Sequence, residues 1–152
     1  MIVTLTTNPS LDRTVALDAP LRVGEVQAAG SVREDAGGKG INVARVAHYA
    51  GHPVRAILPA DPDDPILHGL DALRVPYRSV PLAGAVRTNL TLTEADGTTT
   101  KINEPGPSLD AETIERLAHL LVLESERADW VVLSGSLPPG VPEQWYADLV
   151  RA

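Results

Sequence analysis

The sequence contains no cysteine and no phenylalanine. The first absence excludes disulfides, thiolate metal sites and thiol nucleophiles. The second, with only two Trp and three Tyr, leaves Val, Leu, Ile and Ala to build the core. Lysine is scarce: Lys39 and Lys101 stand against eleven arginines. No uninterrupted apolar stretch approaches the ~20 residues of a membrane-spanning helix. The opening Met1-Ile2-Val3-Thr4-Leu5 lacks the basic and long apolar regions of a signal peptide, so a cytoplasmic protein is expected. The formal net charge is −7 and the pI near 5.0, which argues against a broad nucleic-acid or anionic-membrane surface but allows one local anion pocket. With 43% hydrophobic and 22% charged residues the 152-residue chain is expected to fold, as one domain.

Strand patterns alternate with helix patterns. Ile2–Thr7 is β-branched and apolar and reads as a buried strand, stopped by Asn8-Pro9-Ser10. Thr14–Leu17 and Val26–Val32 are weaker strand patterns. Gly38 to Ala50 reads as a helix whose buried stripe is Val43, Val46, Ala47 and Ala50. Val54–Leu58 is a second buried strand. Asp61-Pro62 gives an N-cap followed by Pro at the first helical position, with Ile66, Leu67, Leu70 and Leu73 as the apolar face. Tyr77–Val80 reads as a short strand. Arg87–Glu94 and Thr98–Asn103 flank Asp96-Gly97 and predict a hairpin. Ser108 is expected to cap a helix over Leu109–Glu124 with Ile114, Leu117, Ala118 and Leu121 inward. Trp130–Leu133 reads as a strand, and Pro142 as the start of a last helix. This order predicts an α/β fold with a parallel sheet.

The most informative segment is Ala36-Gly37-Gly38-Lys39-Gly40-Ile41-Asn42-Val43-Ala44-Arg45. Glycines let backbone approach a ligand, and a helix start adds free N–H groups and a positive dipole end. Such a segment is either a site for a phosphorylated or polyhydroxylated small molecule or a tight strand-to-helix turn. It is not a Walker A loop, because Lys39 is followed by Gly40 rather than Ser or Thr. It is not a dinucleotide fingerprint, because Val43 stands where the third glycine belongs. Asp12, just past the first strand, suits either sugar hydroxyls or a turn cap. Arg87 and Lys101, on the two hairpin arms, either clamp a phosphate or belong to a solvated sheet face. Ser134-Gly135-Ser136 follows a strand and offers N–H and hydroxyl groups. Glu104 reads as part of a rigid exit loop. His48, His52, His68 and His119 lack metal spacing and read as surface residues, so no metal site is expected.

Five segments in order resemble the ribokinase-like, PfkB-type carbohydrate kinases. They are Asn8-Pro9-Ser10-Leu11-Asp12, the glycine run, Arg87-Thr88-Asn89, Thr100-Lys101-Ile102-Asn103-Glu104-Pro105-Gly106 and Ser134-Gly135-Ser136-Leu137-Pro138-Pro139-Gly140. The last three are similar to a subgroup that phosphorylates sugar phosphates, the 1-phosphofructokinases, with tagatose-6-phosphate kinases as near neighbours. The resemblance implies a three-layer α/β/α sandwich with a small β lid, its strands at about 13–34 and 87–103, and pairing of lids into a homodimer. It implies ATP- and Mg²⁺-dependent phosphorylation of D-fructose 1-phosphate to fructose 1,6-bisphosphate. By position, Asp12, Gly37, Gly38 and Asn42 would bind or shape the sugar. Lys39, Arg87 and Lys101 would hold its phosphate, with Ser134 or Ser136 at the pocket floor. The family's Gly-x-Gly-Asp base and Asn-x-x-Glu metal motif do not occur in these 152 residues. The chain is therefore expected to be an N-terminal, substrate-binding half without catalytic residues or tight ATP and Mg²⁺ binding, and inactive alone. The alternatives are a stand-alone sugar-phosphate binding module or a gene remnant.

Overall fold

In the computed structural model, which describes Met1–Arg151, two four-stranded sheets share one core. The strands are β1 (Ile2–Leu5), β2 (Ser10–Ala16), β3 (Ser31–Gly37), β4 (Val54–Pro59), β5 (Tyr77–Val80), β6 (Arg87–Thr93), β7 (Thr99–Asn103) and β8 (Trp130–Leu133). The helices are α1 (Lys39–Tyr49), α2 (Pro65–Ala72), α3 (Ala111–Ser125) and α4 (Trp145–Arg151). The main sheet runs β5-β4-β1-β8 and is parallel throughout. The small sheet runs β3-β2-β6-β7, with β2 and β6 parallel and both outer pairs antiparallel.

The connections from β1 to β4 and from β4 to β5 step one way across the main sheet, and the connection to β8 steps the other way. Right-handed crossovers then place α1 and α3 on opposite faces. Both helices pack on β1 and β4. The core between them is Val3, Leu5, Ile41, Ala44, Ile57, Leu58, Leu117 and their neighbours, aliphatic as the composition requires. Among the described residues, no helix is long and apolar enough to cross a membrane.

Several local expectations are corrected. The buried face of α1 is Gly40, Ile41, Ala44 and Ala47, whereas Val43 and Val46 are exposed and Ala50 is the C-cap. Gly40 is the cause: a Cβ there would sit 2.7 Å from the Leu5 carbonyl oxygen. The helix therefore lies close on β1 through its smallest residues, a row that hydrophobicity underrates. Helix α2 starts at Asp64-Pro65, not Asp61-Pro62. The Asp64 carboxylate accepts from Ile66 N–H at 3.0 Å and from Val86 N–H at 2.9 Å, a tertiary bond that Asp61 does not make. Helix α3 is capped by Asp110, which accepts from Thr113 N–H at 2.8 Å, rather than by Ser108. Leu109 N–H is held by the Pro139 carbonyl, which delays the helix. The last helix begins at Trp145, three residues after Pro142.

The largest corrections concern the small sheet. Strand β2 begins at Ser10, four residues before Thr14, so Asp12 lies in a strand and not in a turn. Strand β3 is Ser31–Gly37 rather than Val26–Val32. Its centre, Arg33-Glu34-Asp35, is charged, and an apolar-run criterion passes over it. The hairpin and the strands at Tyr77–Val80 and Trp130–Leu133 fall where they were expected.

Candidate functional site

Ligand groups in α/β folds gather at the carboxyl ends of parallel strands. Three segments meet there. Strand β1 ends in Thr6-Thr7-Asn8, β8 ends in Ser134-Gly135-Ser136, and α1 starts at Lys39. Thr6 ties the first to the third, its hydroxyl accepting from Ile41 N–H at 2.9 Å. The N-cap residue of α1 is Gly38, at φ +124°, and it provides no side-chain cap. Among the described residues the N–H groups of Lys39 and Gly40 have no acceptor, which leaves positive potential at the helix start.

The small sheet forms the opposite wall, and its register arranges the polar residues in rungs. The inner rung carries Ser10 and Arg87, paired across β2 and β6. The middle rung is Asp35, Asp12, Asn89 and Asn103. The outer rung is Arg33, Thr14, Thr91 and Lys101. Alternation along each strand puts all three on one face.

Two adjoining cavities follow from this layout. The inner one, about 420 Å³, is lined by Lys39 and Arg87 with Asn8, Ser10, Gly38 and Ser136. The outer one, about 570 Å³, is lined by Arg33, Arg45 and Lys101 with Asp35. Asp12, Asn42, Asn89 and Asn103 border both.

Asp12 is held in place from two sides. Its Oδ1 accepts from Ser10 Oγ at 2.8 Å and from Asn89 Nδ2 at 3.0 Å. The carboxylate lies over Gly37, where any Cβ would overlap it. Arg87 donates from Nη1 to the Glu104 carbonyl at 3.0 Å, and Glu104 Oε2 accepts from Thr88 N–H at 2.8 Å. Glu104 thus latches the base of the hairpin. Two polar atoms here, Arg87 Nε and Asn89 Oδ1, are buried with no hydrogen-bond partner among the described residues. One is a donor and the other an acceptor, and burying either unpaired is costly unless a ligand or water completes it.

Of the residues the sequence singled out, Asp12, Gly38, Lys39, Asn42, Arg87 and Ser136 line the inner cavity. Lys101 does not join Lys39 and Arg87. It pairs with Thr91, four residues along from Arg87, and lines the outer cavity. Gly37 acts beneath Asp12. Ser134 is not among the residues lining either cavity, and its N–H donates to the Leu5 carbonyl at 3.4 Å.

The sequence reading gave no role to Asn8, Asn89, Asn103 or Arg45. Asn8 Nδ2 bridges the Pro105 carbonyl at 3.0 Å and Ser136 Oγ at 3.4 Å, joining three loops. Arg45 donates to Asn42 Oδ1 at 3.1 Å. Two of these were legible: Asn89 lies two residues from Arg87 on a strand, and Arg45 lies three from Asn42 on a helix.

A family model described as pfkB family carbohydrate kinase matches residues 5–152. The chain is 38% identical over 156 residues to an ATP-dependent 6-phosphofructokinase isozyme 2 of Mycobacterium tuberculosis, covering 99% of this chain and 46% of that protein. It is 41% identical over 150 residues to a 1-phosphofructokinase of Xanthomonas campestris, covering 97% and 47%. Among solved structures, phosphofructokinase-2 from Escherichia coli in complex with fructose-6-phosphate superimposes with a TM-score of 0.88 at 28% identity, over 99% of this chain and 50% of that one. A possible 1-phosphofructokinase from Thermotoga maritima gives 0.87 at 28% identity, over 99% and 49%. The chain spans about half the length of the curated relatives it matches.

Proposed function

The chain belongs to the pfkB family of carbohydrate kinases, and from that premise we propose that it is the acceptor-binding half of a sugar-phosphate kinase, with D-fructose 1-phosphate as its acceptor. One observation carries this reading. Lys39, Arg45, Arg87 and Lys101 enter none of the ion pairs among the described residues, and all four converge on the cavities around Asp12. In a chain of net charge −7, four cations outside these ion pairs, beside a row of carboxylate and amide groups, suit a polyol bearing phosphate.

Under this reading Asp12 accepts hydrogen bonds from sugar hydroxyls, and Asn42 and Asn89 add donor and acceptor groups. The buried Asn89 Oδ1 and Arg87 Nε gain the partners that they lack. The α1 N-terminus and Lys39 face the anionic end. The small sheet closes over the sugar as a lid, excluding water and strengthening these contacts. Its outer face, which carries Val15, Val32, Leu90 and Ile102, pairs with a second copy.

Family kinases use ATP and Mg²⁺. Among the described residues no group of three or more His, Asp or Glu side chains is disposed to hold a metal. Asp12 already has one oxygen committed to Ser10 and Asn89. These residues do not fit a Mg²⁺–nucleotide site, and no transfer step is derived from them. ATP and Mg²⁺ are assigned to the part of the relatives' length that this chain does not span.

Calorimetry on the purified 152-residue chain tests the reading. Fructose 1-phosphate is expected to bind, and fructose is not. Fructose 6-phosphate and tagatose 6-phosphate serve as competitors, since one relative is named a 6-phosphofructokinase. Tighter binding of either would reassign the acceptor. A folded sample that binds none of the three phosphates would overturn the proposal. Sugar-phosphate-dependent ADP release by this chain alone is expected to be absent.

A further inference from the structure

We propose that the amino ends of β4 and β5 hold a separate anion site, one that takes a phosphate dianion, free or as a small ester. A cavity of about 460 Å³ is lined there by Arg55, Arg74 and Arg78 with Asp71 and Tyr77. It lies at the opposite end of the main sheet from the cavities around Asp12, and the proposal stands independently of the acceptor-binding reading.

Two of the three guanidiniums share one carboxylate. Arg78 pairs with Ile57 across β4 and β5, and Arg55 stands two residues before Ile57, so both arginines lie on the same sheet face. Glu124 of α3 packs beneath them, largely buried, with Nε of Arg55 at 3.2 Å and Nε of Arg78 at 3.5 Å. One carboxylate neutralises one of the two. Because both approach it through Nε, their forked Nη ends are left to the cavity they line. Arg55 Nε is buried with no hydrogen-bond partner among the described residues, so even its approach to Glu124 is an ion pair without a hydrogen bond. Asp71, the carboxylate of the lining, accepts from the Tyr77 hydroxyl at 3.4 Å. Arg74 enters none of the ion pairs among the described residues. Three guanidiniums thus face two carboxylates, a local surplus of positive charge in a chain of net charge −7. Spare N–H forks from three positions suit a tetrahedral oxyanion.

The third guanidinium is held there at a cost. Arg74 is the one non-glycine residue with positive φ among the described residues, at +55°. It follows Leu73, the C-cap of α2, and the next N–H, of Val75, donates to the Leu70 carbonyl at 3.0 Å. Glycine is the usual residue at such a position, because a side chain in the left-handed region is strained. A cation does complement a helix C-terminus. A basic residue inside the last turn would do so without strain, and α2 has none there. What the strained position gives, and a last-turn position does not, is a guanidinium from the helix end beside the two from the strands. Backbone strain of this kind is kept where the side chain is needed.

The test reads the site residue by residue, because phosphate can also enter the cavities around Asp12. Inorganic phosphate, glycerol 3-phosphate and acetate are titrated into the 152-residue chain at constant ionic strength, and nuclear magnetic resonance follows the amides of Val75, Tyr77 and Arg78 and the Nε–H of Arg55. Saturable shifts are expected with both phosphates and not with acetate. Tighter binding of the ester makes an ester the ligand, equal binding makes it free phosphate, and either ranking supports the site. Arg74→Gly and Arg78→Met are each expected to weaken this binding about fivefold or more, while the phosphate response of Gly38 and Lys39 keeps its midpoint. Arg74→Gly is also expected to unfold at an equal or higher urea concentration than the unaltered chain, since it relieves the strained φ, and it carries the test alone should Arg78→Met fail to fold. Shifts that do not saturate, that acetate reproduces, or that survive both variants overturn the proposal. A lower urea midpoint in Arg74→Gly overturns it as well, because the arginine would then be held there for stability. None of these results bears on sugar-phosphate binding at the other end of the sheet.

Discussion

The carboxylate of Asp12 lies against Gly37, its diagonal neighbour across the β2–β3 pairing, in space that a Cβ would occupy. The first glycine of the Gly37-Gly38-Lys39-Gly40 run thus serves an aspartate twenty-five residues earlier. The second and third, Gly38 and Gly40, serve the approach of α1 to β1 and its continuation. The run that resembles a phosphate cradle is built as much to admit side chains and strands of its own protein as to admit a ligand.

Gly37→Ala is expected to push the Asp12 carboxylate out of its hydrogen bonds with Ser10 and Asn89. The displaced group is the end of a side chain that can rotate, so the melting temperature should change little. Sugar-phosphate affinity is expected to fall about tenfold or more, the cost of misplacing one charged acceptor. Calorimetry beside a thermal melt separates the two effects, and a large drop in melting temperature would contradict the account.

Gly40→Ala should show the reverse balance. Its Cβ would meet the Thr6 hydroxyl and the Leu5 carbonyl, which are fixed in β1 and its continuation. Overpacking of this kind costs about 1–3 kcal/mol, offset in part by about 1 kcal/mol of helix propensity. A net destabilisation is expected in urea unfolding. An unchanged midpoint would mean that α1 can lift from β1 without loss.

Asp64→Ala removes the cap of α2 and leaves the Val86 N–H buried without its acceptor. Losing a cap and stranding one buried donor together cost about 2–3 kcal/mol. Asp64→Asn keeps one oxygen and is expected to cost less. Because Val86 precedes Arg87, faster hydrogen exchange at Val86 and the start of β6 should accompany the loss.

Tyr146 connects pH to stability. Burial raises its phenol above the ordinary value of 10.0, a rise opposed by the hydrogen bond with Thr7 Oγ1 at 3.0 Å. The unfolded chain ionises this group first, so its stabilising effect is complete below the unfolded pKa and is lost as pH rises through the folded one. Tyr146→Phe is expected to be less stable near neutral pH by about 0.5–1.5 kcal/mol, from the missing hydrogen bond. The gap between the two proteins should narrow above pH 10. A gap that widens there would contradict the assignment.

Much of this was open to reading from the residues. Apolar, β-branched segments located β1 and β4, because a strand buried in a parallel sheet has to be apolar along its length, and the short apolar run Trp130–Leu133 located β8. Asp96-Gly97 located the hairpin, because few other pairs make that turn. Strand β3 escaped because Arg33, Glu34 and Asp35 are charged for a cavity and for solvent. The buried face of α1 escaped because its contact is made by glycine and alanine. Asp61-Pro62 and Asp64-Pro65 carry the same local signal, and only the Val86 N–H distinguishes them.

The sequence by itself determined the class of fold, the order of its elements, and the set of residue types that a sugar phosphate would require. Those follow from periodicity and local chemistry, which act over a few neighbours. Only the tertiary structure decided which of those residues stand together. Lys39 and Arg87 share one cavity and Lys101 lies in the next, because strand register fixes which side chains share a rung, and register depends on hydrogen bonds between segments that the chain itself keeps far apart.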